Sequence, residues 1–166
     1  MTVYTDPLPT LLGGEIVDED KWDDIHDALS ALFDAPSSYT PVWSGTTTAG
    51  SAGNSTLTGK YQQLGHLAFV TINLTIGSTA SLPTGFWVFS LPVAPASVDQ
   101  LLGVVANDAS TSLRFAGIVW LRTTTATGDN MRIITSGESS FGGWTQAGPI
   151  AWATSDRVQI GGWYWV

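Results

Sequence analysis

The chain has 166 residues, no cysteine and a formal net charge of −8 at pH 7, and its length fits one ordinary domain. The absence of cysteine excludes disulfide frameworks, cysteine-ligated zinc sites and cysteine nucleophiles. The acidity belongs to residues 1–34, which hold nine acids and one lysine, whereas residues 35–166 hold five acids and five bases. Because phosphate binding needs clustered lysine and arginine, this composition predicts no nucleic-acid partner.

The N-terminal segment reads as an arm followed by a helix. Residues 1–17 contain two prolines and a Gly-Gly pair, which disfavour helix and predict an extended arm. Asp18 is a favourable N-cap for a helix that ends before Pro36. Apolar residues in a 3-4-3 spacing predict a stripe along one side of this helix. The stripe consists of Trp22, Ile25, Leu29 and Leu32.

The opposite side of the predicted helix is crowded with acids. Glu19/Asp23, Asp20/Asp24 and Asp23/Asp27 are like-charge pairs four residues apart. Each such pair costs about 0.2–0.5 kcal/mol, and a helix of roughly 16 residues is marginal in isolation. We therefore expect the stripe to pack against another surface, and we interpret residues 1–36 as a segment for oligomerisation or docking.

From Ser37 onward the apolar period changes from 3.6 to 2, which predicts strands. The clearest strand is 66–76, and clusters rich in Gly, Ser, Thr and Pro separate the others. The other predicted strands are 39–45, 56–64, 86–91, 101–107, 113–122, 130–135, 150–154 and 157–165. For residues 37–166 we predict one antiparallel, jelly-roll-like β-sandwich domain, so the fold class is mainly β with an N-terminal arm and one acidic amphipathic helix.

Motifs that carry chemistry are missing from the sequence. It contains no G-x-S-x-G nucleophile elbow, no H-E-x-x-H pair and no glycine-rich phosphate loop. The acidic run DEDKWDD lacks the alternating oxygens and central glycine of a calcium loop. We predict that the chain is not an enzyme and has no catalytic residue, metal ligand or cofactor. It has no apolar signal segment at its start and no run near the roughly 18 apolar residues of a membrane span, so no membrane partner is expected.

The eight tryptophans are the most informative side chains. Period-2 alternation places Trp120 on the side of 113–122 that faces away from the core, and it places Trp163 and Trp165 on the corresponding side of the last strand. Trp144 stands in a Gly-rich turn and is expected to be exposed as well. We interpret these four residues as candidates for a contact surface.

Two interpretations of that surface stay open. Apolar faces that point outward are usually buried against another chain, which favours a subunit interface. Tryptophan faces beside polar groups also suit the stacking of sugar rings, which favours a glycan site. A β-bulge at Gly161-Gly162 would instead turn Trp163 and Trp165 toward the core.

Several segments together resemble virion proteins of actinobacteriophages. The arm and helix DPLPTLLGGEIVDEDKWDDIHDALSAL resemble the N-terminal segment of tail or other virion proteins of these phages. YTPVWSG, GNSTLTGKYQQLGHLAFVTINLTIGST, FSLPV and PIAWATSDRVQIGGWYWV resemble segments of their β-domain. The chain departs from the pattern at its end, where Ser155-Asp156 and GWYWV replace a G-D pair and a plainer tail. The resemblance implies a structural or adhesive role without catalytic residues.

Three functions are compatible with these patterns. The first is a tail-fibre or tail-tip (minor tail) protein that contacts the host surface, and the second is a capsid decoration or head-fibre protein. The third is a stand-alone carbohydrate-binding module. The expected partners are further copies of the chain in a homotrimer, other virion proteins through residues 1–36, and a host glycan under the glycan interpretation. The expected location is the virion, after synthesis in the bacterial cytoplasm.

Overall fold

A computed structural model describes residues 19–121, 131–134 and 144–166, and both the predicted arm and Asp18 lie outside them. Helix α1 spans Glu19–Phe33. The strands of the described residues are β1 (Ser37–Tyr39), β2 (Trp43–Gly45), β3 (Thr56–Leu64), β4 (Leu67–Thr75), β5 (Trp87–Phe89), β6 (Leu101–Asn107), β7 (Arg114–Leu121), β8 (Met131–Ile134) and β9 (Arg157–Trp165). The predicted fold class, mainly β with one N-terminal helix, is confirmed.

The strands pair antiparallel in the order β1-β3-β4-β9-β6-β7-β8-β5-β2. β4, β9 and β6 lie in one half of this order, and β7, β8 and β5 lie in the other. Apart from the β6–β7 hairpin, the chain crosses between the halves from β1 to β2, from β2 to β3, from β4 to β5, from β5 to β6 and from β8 to β9. This alternation is typical of a jelly-roll-like sandwich. The halves are not separate sheets, because the β6–β7 hairpin joins them in one hydrogen-bonded order.

Both halves of the sheet contribute side chains to a single core. In β4, Val70, Ile72 and Leu74 are buried while the residues between them are exposed. From the other half, Trp87 and Phe89 of β5 belong to the same buried cluster. Because strand side chains alternate between the two faces, each half turns one face toward the core and the other toward solvent.

Two predicted strands differ from the structure. The run 39–45 is divided into β1 and β2 around Pro41, which has no N–H to donate to a ladder, and the two pieces pair at opposite edges of the sheet. The prediction of a strand at 150–154 is wrong. Trp152 is buried there, and its indole N–H donates to the carbonyl oxygen of Thr145 at 2.9 Å. The apolar alternation therefore reflects an irregular segment packed on the core.

The turn before β9 contains Ser155 and Asp156. Ser155 has a φ of 74°, in the left-handed region that favours glycine. Its N–H donates to the carbonyl oxygen of Ile76 at 2.8 Å, which holds the turn against the end of β4. Asp156 is buried, and its carboxylate accepts from the backbone N–H groups of Ala109 and Ala153 at 2.8 and 2.7 Å. These contacts fix the start of β9 in spite of the strained residue.

Two tyrosines have phenol groups that are withdrawn from solvent. Burial raises the pKa of Tyr39 well above its usual range, and the Tyr164 phenol adds to that effect. Burial also raises the pKa of Tyr164 to about 12. Its hydroxyl donates to the carbonyl oxygen of Val93 at 2.9 Å. The Tyr39 hydroxyl has no hydrogen-bond partner among the described residues.

We expect stability to fall in alkali because of these two phenols. An unfolded tyrosine ionises near pH 10, about the ordinary value, whereas the folded phenols resist ionisation. The stability that the two protonated phenols contribute is therefore complete below about pH 10. It declines as the pH rises toward the folded-state pKa, which is about 12 for Tyr164. Denaturation curves from pH 8 to 12 should show a shallower decline for Tyr39→Phe than for the wild type. At pH 7 Tyr164→Phe should cost about 1 kcal/mol by losing its hydrogen bond, whereas Tyr39→Phe should cost less.

Removing residues 1–35 should leave a folded β-domain. The buried hydrophobic residues of the described chain begin at Trp43, and the described helix side chains are not among them. Cooperative thermal unfolding, followed by circular dichroism, should therefore survive the truncation, and a variant that lacks only residues 1–17 is the matched control. If the variant that lacks residues 1–35 loses its cooperative transition and the variant that lacks residues 1–17 keeps it, α1 belongs to the core.

Candidate functional site: an aromatic outer face

The solvent-facing side of β3, β4, β9, β6 and β7, here called the outer face, carries a group of exposed apolar residues. Phe69 of β4 pairs with Trp163 of β9, and Leu67 pairs with Trp165. Trp163 and Trp165 are each 53% exposed, and Phe69 is exposed beside them. Leu101 of β6 is also exposed at this end of the sheet. The predicted outward orientation of Trp163 and Trp165 is therefore what the structure shows.

The two outward tryptophans of β9 are held in a defined geometry. Their rings are 6.1 Å apart between centroids and nearly perpendicular, at 83°. The backbone N–H of Trp165 donates to the side-chain carbonyl oxygen of Gln100 at 2.6 Å, which fixes the end of the strand. The pairing with β4 runs without interruption through Gly161 and Gly162, so no bulge turns the tryptophans inward.

Trp120 lies on the same outer face but is only partly exposed. It pairs with Leu101 across the β6–β7 ladder, and its indole N–H donates to the Asp99 carboxylate at 2.8 Å. This bond fixes the orientation of the ring. Trp120 therefore extends the aromatic end of the outer face from β9 toward β7.

A shallow groove of about 630 Å³ crosses the middle of the outer face. Gly103 and Gly161 pair across the β6–β9 ladder at its floor, and because they have no side chains the sheet surface is depressed there. Asn73 and Gln159 line the groove, and the Gln159 amide donates to the Asn73 side-chain oxygen at 3.2 Å. The outer face thus changes from aromatic at one end to amide-lined in the middle.

The five strands of the outer face carry basic residues and no acid. The five strands contain no aspartate or glutamate, although the whole chain has a formal net charge of −8. Their basic residues are Lys60, Arg114 and Arg157, which are exposed. The neighbouring acids Asp99 and Asp108 belong to loops outside the strands. Lys60 lines a groove together with Trp163, whereas Arg114 and Arg157 both pair with Asn107 at the end of the strands away from Trp163. At the aromatic end the Asp99 carboxylate accepts from the Trp120 indole.

Helix α1 leaves its apolar stripe largely uncovered. Trp22 and Leu29 are exposed, Ile25 is partly exposed, and the side chain of Leu32 lies outside the described part. Phe33 is 85% exposed and extends the stripe by one turn. Phe33 was not among the residues predicted for the stripe, although its i+4 spacing from Leu29 is the signal that identifies it.

The C-terminal end of α1 lies at the edge of the outer face. The side-chain amide of Gln62, on β3, donates to the carbonyl oxygen of Asp34 at 3.1 Å. A second groove, of about 360 Å³, is lined by Pro36 together with Lys60, Phe69 and Trp163. The helix and the aromatic end of the outer face are therefore neighbours, with both of their apolar surfaces exposed.

The prediction that Trp144 is exposed is wrong. Trp144 is 1% exposed, and its ring lies 5.8 Å from that of Trp152 between centroids. Its carbonyl oxygen accepts from the backbone N–H of Trp87 at 2.9 Å, which ties the residue to β5. The Gly-rich composition of the turn did not reveal this, because burial depends on packing against residues distant in the sequence. Trp144 belongs to the core and not to the outer face.

Neither metal ligation nor membrane spanning is indicated by the described residues. Within 19–121, 131–134 and 144–166, no three His, Cys, Asp or Glu side chains come together in a way that could hold a metal ion. In those same ranges no helix has the length and apolar character needed to cross a membrane. The exposed aromatic residues and the stripe on α1 are thus the features that any functional assignment must explain.

No protein-family model matches the chain, and no curated protein or solved structure was found to match it.

Proposed function

We propose that this chain is a structural protein of a bacteriophage virion, of the tail-fibre or tail-tip type. In this proposal residues 1–36 serve assembly, and the β-domain is presented to the host surface. The observation that carries the proposal is that one small chain leaves two apolar surfaces uncovered, the stripe on α1 and the aromatic end of the outer face. Exposed apolar patches on a soluble domain usually mark contacts with other macromolecules.

The resemblance of the chain's motifs to actinobacteriophage virion proteins supports the virion as the place of these contacts. The composition supports it as well, because the sequence offers no catalytic motif and its acids are concentrated in the helix segment. Like-charge pairs and short length make this helix marginal in isolation, so covering its apolar stripe by assembly would stabilise it.

The location can be tested by electron microscopy of purified virions labelled with antibodies against the β-domain. We expect gold particles at the tail fibres or the tail tip, with virions treated with pre-immune serum as the control. Label on the capsid would favour the capsid decoration or head-fibre function instead. Absence of the chain from virions, checked by mass spectrometry of the same sample, would contradict a virion role.

A homotrimer is expected for the purified full chain. Cyclic assembly would cover the stripe and the outer tryptophans in every copy, since closed symmetry leaves no copy with an unused surface. Sedimentation equilibrium at micromolar concentration should give three times the 17.6 kDa mass of one chain. A clean monomer at those concentrations would contradict this expectation.

A carbohydrate-binding module is the second candidate, and the adjacency of aromatic and amide side chains favours it. Phe69, Trp163 and Trp165 lie beside Gln62 on the outer face, and Gln159 lines the adjoining groove. Sugar rings stack on aromatic faces while amides bind their hydroxyl groups. Titration of the purified chain with host cell-wall polysaccharide should distinguish this function, because saturable binding that Trp163→Ala abolishes would support it.

A further inference from the structure

We propose that the outer face is the docking site for helix α1 of a second copy of this chain. The contact is one of helix on sheet, in which the stripe of Trp22, Ile25, Leu29 and Phe33 covers the aromatic end of the outer face. This inference concerns how copies contact each other. It does not depend on where the protein lies in a virion.

One basic residue of the outer face lies beside the aromatic end, where the acidic helix would dock. Helix α1 contains five acids and one lysine. Lys60 of β3 lines the groove with Trp163, whereas Arg114 and Arg157 lie at the other end of the strands. On a helix of 3.6 residues per turn the acids lie opposite the stripe, so they would face away from the sheet. The attraction between these acids and the basic residues of the outer face acts across a helix about 10 Å wide. This distance is close to the Debye length at physiological salt, so the attraction is partly screened. The apolar contact supplies the affinity, and the charges favour this face over the anionic remainder of the protein.

The dimensions of the two surfaces match. A helix of 15 residues is about 22 Å long at 1.5 Å per residue. Five neighbouring strands are about 19 Å wide at roughly 4.8 Å per interval. The helix can therefore lie across all five strands, and the depression at Gly103 and Gly161 gives room for side chains of the stripe.

The occupant is a second copy because the helix of one chain does not cover the aromatic end of its own outer face. Three residues, 34–36, join α1 to β1. Pro36 biases Ala35 toward extended backbone, which disfavours a tight reversal. The bond between Gln62 and the Asp34 carbonyl holds the end of the helix at the edge of the sheet. In the single chain both the stripe and the outer tryptophans remain exposed, whereas exchange between copies covers both.

Disulfide trapping tests this contact directly, because the natural chain has no cysteine. One tagged chain carries Leu29→Cys, and a second chain with a different tag carries a cysteine in place of Phe69, Leu101 or Trp163. Mixed and oxidised chains should form the heterodimer with at least one of the three outer-face variants. The control is the Leu29→Cys chain mixed with Val42→Cys, an exposed position next to β2 at the opposite edge of the sheet. This mixture should give at least tenfold less disulfide-linked heterodimer.

Other occupants of the outer face give different products. Dominant disulfides between two Leu29→Cys chains would show that helices pack on helices and would overturn the proposal. An intramolecular disulfide in a dilute Leu29→Cys/Phe69→Cys double variant, without intermolecular product, would show that the chain covers its own face. No disulfide above the Val42→Cys control for any of the three pairs would also overturn it. Circular dichroism of each variant establishes that the chains compared are folded.

Discussion

Replacing Trp87 with alanine should lower the free energy of unfolding by about 3–5 kcal/mol, the range for removing a fully buried tryptophan. Trp87 is completely buried between two other tryptophans. Its ring centroid lies 4.9 Å from that of Trp43, edge-on, and 4.5 Å from that of Trp152, stacked. Its indole N–H donates to the carbonyl oxygen of Pro83 at 3.2 Å. Alanine would lose these contacts and leave a cavity where the β5 half of the sheet meets the core.

Urea denaturation monitored by circular dichroism measures this effect. The matched control is Trp165→Ala, which removes the same side chain from a half-exposed position and should cost much less in a monomeric preparation. A loss below about 1 kcal/mol for Trp87→Ala would mean that the tryptophan cluster contributes little to the stability of the core.

Replacing Trp163 with alanine should weaken self-association about 30- to 1,000-fold, which corresponds to the 2–4 kcal/mol of a central interface residue. Trp163 is the central member of the aromatic end, since it pairs with Phe69 and contacts Trp165. Its side chain is 53% exposed in the single chain, so the fold loses little when it is removed. Assembly, by contrast, would lose the largest apolar side chain at the centre of the contact.

Sedimentation equilibrium of Trp163→Ala and of Val42→Ala separates these effects, because Val42 is exposed away from the outer face. Assembly should weaken only in the first variant, and both should melt near the wild-type temperature. The glycan interpretation makes the opposite prediction. If Trp163→Ala stays trimeric and melts normally but no longer adsorbs to host cells, the outer face is a glycan site and not an interface.

The sequence pattern was most informative where local periodicity and burial coincide. The predicted limits of the strands 56–64, 101–107 and 157–165 are those of β3, β6 and β9. In β6 and β9 buried apolar residues alternate with exposed residues, so the pattern specifies both the strand and the side that faces the core. The same alternation located Trp163 and Trp165 on the outer face, because the ladder at Gly161-Gly162 is regular.

The sequence by itself determined the mainly β class, the single acidic helix and the faces of the long strands, because these depend on periodicities of 2 and 3.6 residues within one segment. Only the tertiary structure decided which strands are neighbours, the burial of Trp144 and the division of 39–45 between two sheet edges. These features depend on contacts between residues far apart in the chain. For the same reason, only the fold brings the outer face beside the end of the acidic helix.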